Sequence, residues 1–201
     1  MIYFAAALVA YLLGSIPFGF LAGLIAGVDV RKHGSGNIGA TNTLRVLGKK
    51  YGYPVFVADV LKGFVAVRIA LAIARFDPST GYFIGIVAAF FVVVGHSFPV
   101  WLRFRGGKGV AAAAGACLGL VPVATFIAVV VWVATFLIFR YVSLASIVAA
   151  ITLALGALLF GYASNPVLVT FTCLIAALII WRHRSNIGRL IQGREPRFQR
   201  K

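Results

Sequence analysis

Acidic residues are almost missing from this chain. Among 201 residues there are four, Asp29, Asp59, Asp77 and Glu195, against 19 lysines and arginines, for a formal net charge of +15. Carboxylates this few and this scattered cannot easily assemble an oxygen-ligand metal site. Cysteine is also scarce. Cys117 and Cys173 both lie inside apolar runs, so they read as small buried hydrophobes and give neither a disulfide framework nor a zinc site. The opening stretch, Met1-Ile2-Tyr3-Phe4-Ala5, has no positive n-region, and its apolar run continues too long for a signal peptide. It reads as a retained membrane helix. Only 11% of residues are charged, whereas 62% are hydrophobic and the mean hydropathy is +1.01. A soluble domain is about 45–50% apolar. The excess must face something apolar other than a protein core, and lipid is the obvious candidate. The basic balance alone could suggest nucleic acid, but the cations lie between long apolar runs where no packed soluble face could collect them. A membrane surface or an anionic substrate fits better.

A helix needs roughly 20 apolar residues to cross the hydrocarbon layer. Such stretches fall at about 3–27, 53–75, 81–101, 143–160 and 165–181. The stretch 110–139 is too long for one untilted span and has Pro122 near its middle. Cation-rich short loops stay in the cytoplasm. Three segments qualify: 28–50 with Arg31, Lys32, Arg45, Lys49 and Lys50; 102–109 with Arg103, Arg105 and Lys108; and the end of the chain with Arg182, Arg184, Arg189, Arg194, Arg197, Arg200 and Lys201. All three can be inside only if 110–139 supplies two short spans meeting near Pro122, which also puts Arg140 inside. The expected fold is therefore all-α: a single membrane-embedded domain over 1–201 with seven transmembrane helices, the N-terminus outside and the C-terminus cytoplasmic, ending in a polar tail at 193–201. Arg75 is then the one loop cation left outside. Frequent Gly and Ala, as in 111–116, suit close helix packing in lipid.

Three segments carry chemistry. The first runs from Asp29 to Arg45 and is dense in small hydrogen-bonding residues. Gly34, Gly36 and Gly39 permit positive φ and close backbone approach, and successive N–H groups in such a loop can form an anion nest. Ser35, Asn37, Thr41 and Asn42 add polar side chains, and Arg45 can grip a phosphate bidentately. Gly34–Gly39 also matches G-x-G-x-x-G, but a membrane span replaces the strand that a dinucleotide fold needs, and Asp59 falls inside the next span. The second segment, Gly95–Gly109, lacks the spacing of a P-loop. Even so, Gly106, Gly107, Lys108 and Gly109 lead directly into a helix, whose N-terminus attracts anions. His96 here reads as a satisfied structural histidine. The third segment starts at Trp181. Its arginines are explained by the inside bias, but His183 and Asn186 are not, and the two share a face if the helix continues. Asp59 and Lys62, spaced i, i+3 in the second span, read as a structural ion pair.

Taken together, the stretches Gly14-Ser-Ile-Pro-Phe-Gly19, Gly34-Ser-Gly-Asn-Ile-Gly-Ala-Thr-Asn42 with Arg45, Gly95-His-Ser-Phe-Pro99 with Gly106-Gly-Lys-Gly109, and His183-Arg-Ser-Asn-Ile-Gly-Arg-Leu190 resemble the bacterial acyl-phosphate-dependent glycerol-3-phosphate acyltransferases, the PlsY type. The resemblance runs over essentially the whole chain. It implies transfer of a fatty acyl group from acyl phosphate to the 1-hydroxyl of sn-glycerol 3-phosphate, giving lysophosphatidic acid and phosphate in phospholipid biosynthesis. It implies no cofactor and no metal. It places the protein in the bacterial inner membrane with its site facing the cytoplasm, with membrane lipid around it and the soluble enzyme that makes acyl phosphate as a partner. No Asp or Glu follows any of the three histidines at the His-x4-Asp spacing of other glycerolipid acyltransferases.

Carried over residue by residue, the resemblance assigns Ser35, Arg45, Lys108, His183 and Asn186 as the catalytic set. Ser35, the 34–39 backbone and Lys108 would hold the donor phosphate, and Arg45, His183 and Asn186 would hold glycerol 3-phosphate. Gly34, Gly36, Asn37, Gly39, Thr41, Asn42, Gly106, Gly107 and Gly109 would line the substrates, with Ser143 or Ser146 adding a hydroxyl. The general base would be His183 or the donor phosphate itself, the latter favoured. The expected site brings the three segments together at the inner membrane surface. The rival readings are a transporter for an organic phosphate and a non-catalytic binder of anionic lipid.

Overall fold

The structure, a computed structural model, describes residues 1–74, 81–159, 162 and 164–198. Arg75 and Asp77, and Arg200 and Lys201 at the end of the chain, lie outside the described residues. The described residues form ten α-helices and no strand: α1 Ile2–Ser15, α2 Phe18–Ile25, α3 Ala40–Leu47, α4 Lys49–Ala74, α5 Phe83–Ser97, α6 Val110–Leu120, α7 Pro122–Phe139, α8 Val142–Leu159, α9 Pro166–Arg182 and α10 Arg184–Ile191. Short 3-10 turns at Val30–Lys32 and Val100–Leu102 punctuate the first two polar loops. The chain divides into two compact units, Met1–Leu120 and Val121–Lys201.

Four stretches are long and apolar enough to cross a membrane: Ile2–Ile25, Phe83–Leu102, Pro122–Phe139 and Val142–Leu159. The bent pair α9 and α10 makes a fifth if taken as one span. Helix α4 is longer but carries Asp59, Lys62 and Arg68. Its exposed side chains explain how it tolerates an apolar solvent. Tyr53, Phe56, Val57, Leu61, Val65, Ile69 and Ile73 face outward, while Asp59, Lys62, Gly63, Ala66, Val67 and Ala70 are buried. That is an apolar stripe at helical spacing with Asp59 and Lys62 turned inward and Arg68 alone of the three exposed, largely the reverse of a soluble helix and the arrangement that suits lipid.

The expected boundaries are refined where proline acts. Helix α1 stops at Ser15 because Ile16 precedes Pro17 and is driven to an extended conformation (ψ 113°). The stretch 110–139 breaks at Val121, and Pro122 opens α7, where its missing N–H does no harm. At eleven residues, α6 reaches only about 16 Å along its axis, roughly half the hydrocarbon thickness.

Within the first unit, α1 packs on α5 and α4 packs on α6 through paired glycines. A Cβ on Gly14 would sit 2.2 Å from Val92 O, and one on Gly95 would sit 2.2 Å from Tyr11 O. Likewise a Cβ on Gly63 would sit 2.1 Å from Ala112 O, and one on Gly115 would sit 1.9 Å from Val60 O. Helices that have no water to drive them together associate by such close backbone approach. In the second unit α7 packs on α8 and α8 on α9. Residues 193–198, part of the expected polar tail, fold back within this unit. Phe198 N–H donates to Arg140 O (2.8 Å), the Phe198 ring meets Phe136 edge-on, and Arg197 donates to the Tyr141 hydroxyl (3.0 Å).

Candidate active site

In the first unit the polar loop between α2 and α3 is organised by one buried side chain. Asn42, on the first turn of α3, accepts the Ser35 N–H through Oδ1 (2.8 Å). Its Nδ2 donates to the carbonyls of Val30 (3.0 Å), His33 (3.1 Å) and Asn37 (2.9 Å). Glycine is required beside it: Gly34 has φ +60°, and a Cβ there would lie 2.3 Å from Asn42 Oδ1. Gly36 also has positive φ (+70°), whereas Gly39 does not; it caps α3 with φ −76°. Asn37 Oδ1 accepts the Gly39 N–H (2.8 Å), and Thr43 donates to Gly39 O (3.2 Å). On the far side Gly19 lets α2 close on the loop, since its Cβ would stand 1.9 Å from Ile38 O.

This geometry redistributes the expected chemistry. The N–H groups of Ser35, Gly36 and Gly39 all donate inside the loop, so these three amides are spent on closing the turn. What the loop presents outward is side chain: the exposed Ser35, and Arg45 one turn beyond Asn42 on α3. At the loop entry Asp29 is tied to Arg31 by two side-chain hydrogen bonds (2.9 and 2.8 Å). The Arg31 guanidinium holds the Asp29 carboxyl down at about 2, and Arg31 also lies over the Phe20 ring.

The second polar loop belongs to the same unit. Its 3-10 turn passes through left-handed residues Arg103 and Phe104 and returns to α5, where the Gly106 and Gly107 amides donate to Ser97 O (3.2 Å) and His96 O (3.0 Å). Lys108 is half-buried, next to the start of α6, and Gly109 takes φ +81°. His96 is buried and contacts Asp59 (3.4 Å), and Asp59 pairs with Lys62 at 2.8 Å. The expected ion pair is there, and His96 is its third member.

In the second unit α9 and α10 meet at an angle of 58°, with His183 at the corner. His183 Nδ1 lies 2.8 Å from Ile179 O. A carbonyl only accepts, so Nδ1 carries the hydrogen and the lone pair of the neutral ring is on Nε2. Asn186, one turn on and buried, donates to Glu195 Oε1 (2.6 Å). Ser143 donates to the same oxygen (2.7 Å), and Arg189 Nε donates to Oε2 (2.7 Å). The two candidate serines thus part company. Ser143 joins Asn186, whereas Ser146 donates to Val142 O (2.8 Å) and accepts from Trp132 (3.2 Å). Sequence reasoning missed Glu195, which is 7% exposed. The available signal was its isolation, since it is the one acid after Asp77. Burial pushes its carboxyl up, but the hydrogen bonds from Ser143, Asn186 and Arg189 outweigh burial and hold it below the usual Glu range.

A family model described as glycerol-3-phosphate acyltransferase matches residues 4–193. The chain belongs to this family. It is 49% identical over 190 residues to the glycerol-3-phosphate acyltransferase of Aquifex aeolicus, covering 94% of this chain and 95% of that one. It is 46% identical over 193 residues to that of Desulforamulus reducens, covering 96% and 93%. It also resembles the crystal structure of PlsY (YgiH), an integral membrane glycerol 3-phosphate acyltransferase in its glycerol 3-phosphate form, with TM-score 0.90, 44% identity, and 98% and 96% of the two chains covered. The lysophosphatidic acid form of PlsY matches with TM-score 0.87. The protein is therefore an acyltransferase built from apolar helices. The Asn42 loop and the His183–Asn186 corner both lie in segments that the sequence marks as polar.

Proposed function

We propose that the protein transfers a fatty acyl group from acyl phosphate to the 1-hydroxyl of sn-glycerol 3-phosphate, releasing lysophosphatidic acid and inorganic phosphate. The observation that carries this reading is the closed Asn42 loop. Buried Asn42 holds the Ser35 backbone N–H, and Ser35 and Arg45, the latter one turn on along α3, are both exposed, as a preorganised donor set for an oxyanion must be. The solved relative in glycerol 3-phosphate and lysophosphatidic acid forms supports the acceptor and the product. The donor is supported by the motif resemblance and by the missing His-x4-Asp pair.

An acyl phosphate is a mixed anhydride and already activated. The acceptor hydroxyl attacks the acyl carbon, the acyl–phosphate C–O bond breaks, and the proton leaves with the departing phosphate, so no covalent enzyme intermediate is needed. Ser35 and Lys108 bind the donor phosphate and stabilise the developing charge. Arg45, His183 and Asn186 bind glycerol 3-phosphate, with Ser143 setting the Asn186 side. Asn42, Asn37, Thr41 and glycines 34, 36, 39, 106, 107 and 109 shape the loops. Most of the rate enhancement then comes from positioning and electrostatics. In this reading the helices cross the bacterial inner membrane seven times and the basic loops face the cytoplasm, where a soluble enzyme delivers acyl phosphate.

The test is incubation of purified protein in detergent with palmitoyl phosphate and glycerol 3-phosphate. Lysophosphatidic acid should form without sealed vesicles, and palmitoyl-CoA should not replace the donor. No product from acyl phosphate, or equal turnover with the thioester, would refute the reading.

A further inference from the structure

Behind the Gly106–Gly109 loop lies a buried charged cluster that the proposed reaction does not use. Asp59 and Lys62 are 2% and 6% exposed, one turn apart on the inward face of α4. Lys62 Nζ donates to Ile16 O (2.9 Å), the carbonyl that the Pro17 break withdraws from the α1 ladder, and it lies over the Phe18 ring. Asp59 Oδ1 is shared. Lys62 reaches it at 2.8 Å and His96 Nδ1 at 3.4 Å. The opposite edge of the imidazole is pressed on the second loop: a Cβ on Gly107 would stand 2.0 Å from His96 Nε2. The loop is also anchored to the backbone of the same residues, through Gly106 N–H to Ser97 O and Gly107 N–H to His96 O.

An ion pair serving packing alone has no need of this placement. A buried pair is often no more stabilising than an apolar pair of equal volume, whereas removing one partner is strongly destabilising. Here the pair's carboxylate faces a histidine whose far edge meets the backbone next to Lys108. Asp59 Oδ1 is buried without a hydrogen bond of good geometry, so its charge is met by the Lys62 ammonium and the imidazole edge, and turning the ring away would remove one of the two. We propose that Asp59 is a positioning residue for the donor phosphate: through His96 it fixes the Gly106–Gly107 backbone and hence the place of Lys108. This rests on the reading of Lys108 as a ligand of the donor phosphate.

The test is a set of palmitoyl phosphate titrations at saturating glycerol 3-phosphate, with thermal unfolding in detergent as the fold control. Asp59→Asn should lower kcat/KM for the donor about tenfold to 100-fold, as loss of fine placement does. KM for glycerol 3-phosphate should change much less. Asp59→Asn also strands the Lys62 charge and should unfold at a lower temperature. Asp59→Asn with Lys62→Met removes that charge and should recover the unfolding temperature but not the donor kcat/KM. His96→Asn should reproduce the donor defect. On a Lys108→Met background the D59N/K62M pair should add no further loss, because both act on one contact.

A D59N/K62M protein with wild-type donor kinetics would overturn the proposal, since Asp59 would then serve only Lys62. Wild-type donor kinetics in His96→Asn, or multiplicative losses on the Lys108→Met background, would overturn it too. A fully active Lys108→Met protein would instead remove the Lys108 reading, and this inference with it.

Discussion

Glu195→Gln separates what the glutamate's shape does from what its charge does. Its Oε1 accepts from Ser143 and Asn186, and its Oε2 accepts from Arg189. Glutamine can keep one acceptor oxygen for the first pair, but its amide nitrogen cannot accept from Arg189. One charge-assisted hydrogen bond is lost, worth about 1.5–3 kcal/mol. The other two fall to roughly half their strength on becoming neutral. Arg189 is 38% exposed, so water rescues part of the first loss, and the net destabilisation should be about 2–3 kcal/mol. Thermal unfolding in detergent reads that loss. Kinetics read a second one. Asn186 no longer has a fixed carboxylate to orient it, and KM for glycerol 3-phosphate should rise about tenfold or more, with KM for the donor nearly unchanged.

The pH dependence follows from the sign of the shift. The folded carboxyl is held below its ordinary value, so its contribution is fully present above about pH 4.3, the ordinary Glu value, and is lost as pH falls through the folded value. Wild type should therefore lose unfolding temperature on acidification over that window, and Glu195→Gln should lose less. An unchanged unfolding temperature at neutral pH together with unchanged KM for glycerol 3-phosphate would refute the assignment.

Asn42→Ala removes one acceptor and the two amide hydrogens shared among three carbonyls of the first loop and should destabilise by about 2–4 kcal/mol. Its kcat/KM should fall by about two orders of magnitude as Ser35 loses its seat, and a well-folded, active variant would contradict the hub role. Ser143→Ala should raise KM for glycerol 3-phosphate, while Ser146→Ala should leave turnover near wild type, because only Ser143 reaches the Glu195 carboxylate; a steady-state comparison of the two decides. Gly115→Ile places carbon atoms on the Val60 carbonyl and should lower the unfolding temperature by an amount equivalent to about 1–3 kcal/mol or more.

The elements were legible where polarity and proline speak locally. Long apolar runs marked the helices, and Pro122 marked the division of 110–139. The Ile16–Pro17 break was not read in advance, because the run from residue 3 to 27 stays apolar through it. In the loops the sequence named the polar residues but not the direction of their hydrogen bonds. Gly34, Gly36 and Gly39 suggest an anion nest as a string of letters. In three dimensions the donors of Ser35, Gly36 and Gly39 turn inward, because Asn42, Asn37 and the His33 carbonyl lie within reach and close the loop on itself. Ser143 and Ser146 are indistinguishable by spacing, and only the fold-back of 193–198 decides which of them meets Glu195. That fold-back was hidden by composition, since a stretch rich in arginine reads as a solvated tail.

The scarcity of acid ties these observations together. Under the proposed reaction both substrates are phosphates, and any carboxylate that faced them would offset the attraction that gathers them. Each acid among the described residues is held against a cation of its own: Asp29 on Arg31, Asp59 on Lys62, Glu195 on Arg189. Asp59 and Glu195 are also buried and spend their charge on orienting other groups, His96 in one unit and Asn186 in the other. The chain has few acids, and those among the described residues are each tied to another side chain. A carboxylate placed beside the first loop on the opening turn of α3, as in Thr41→Asp, should therefore raise KM for both phosphate substrates, steeply at low salt and less at high salt. A salt-independent effect would mean that the loop acts through shape alone.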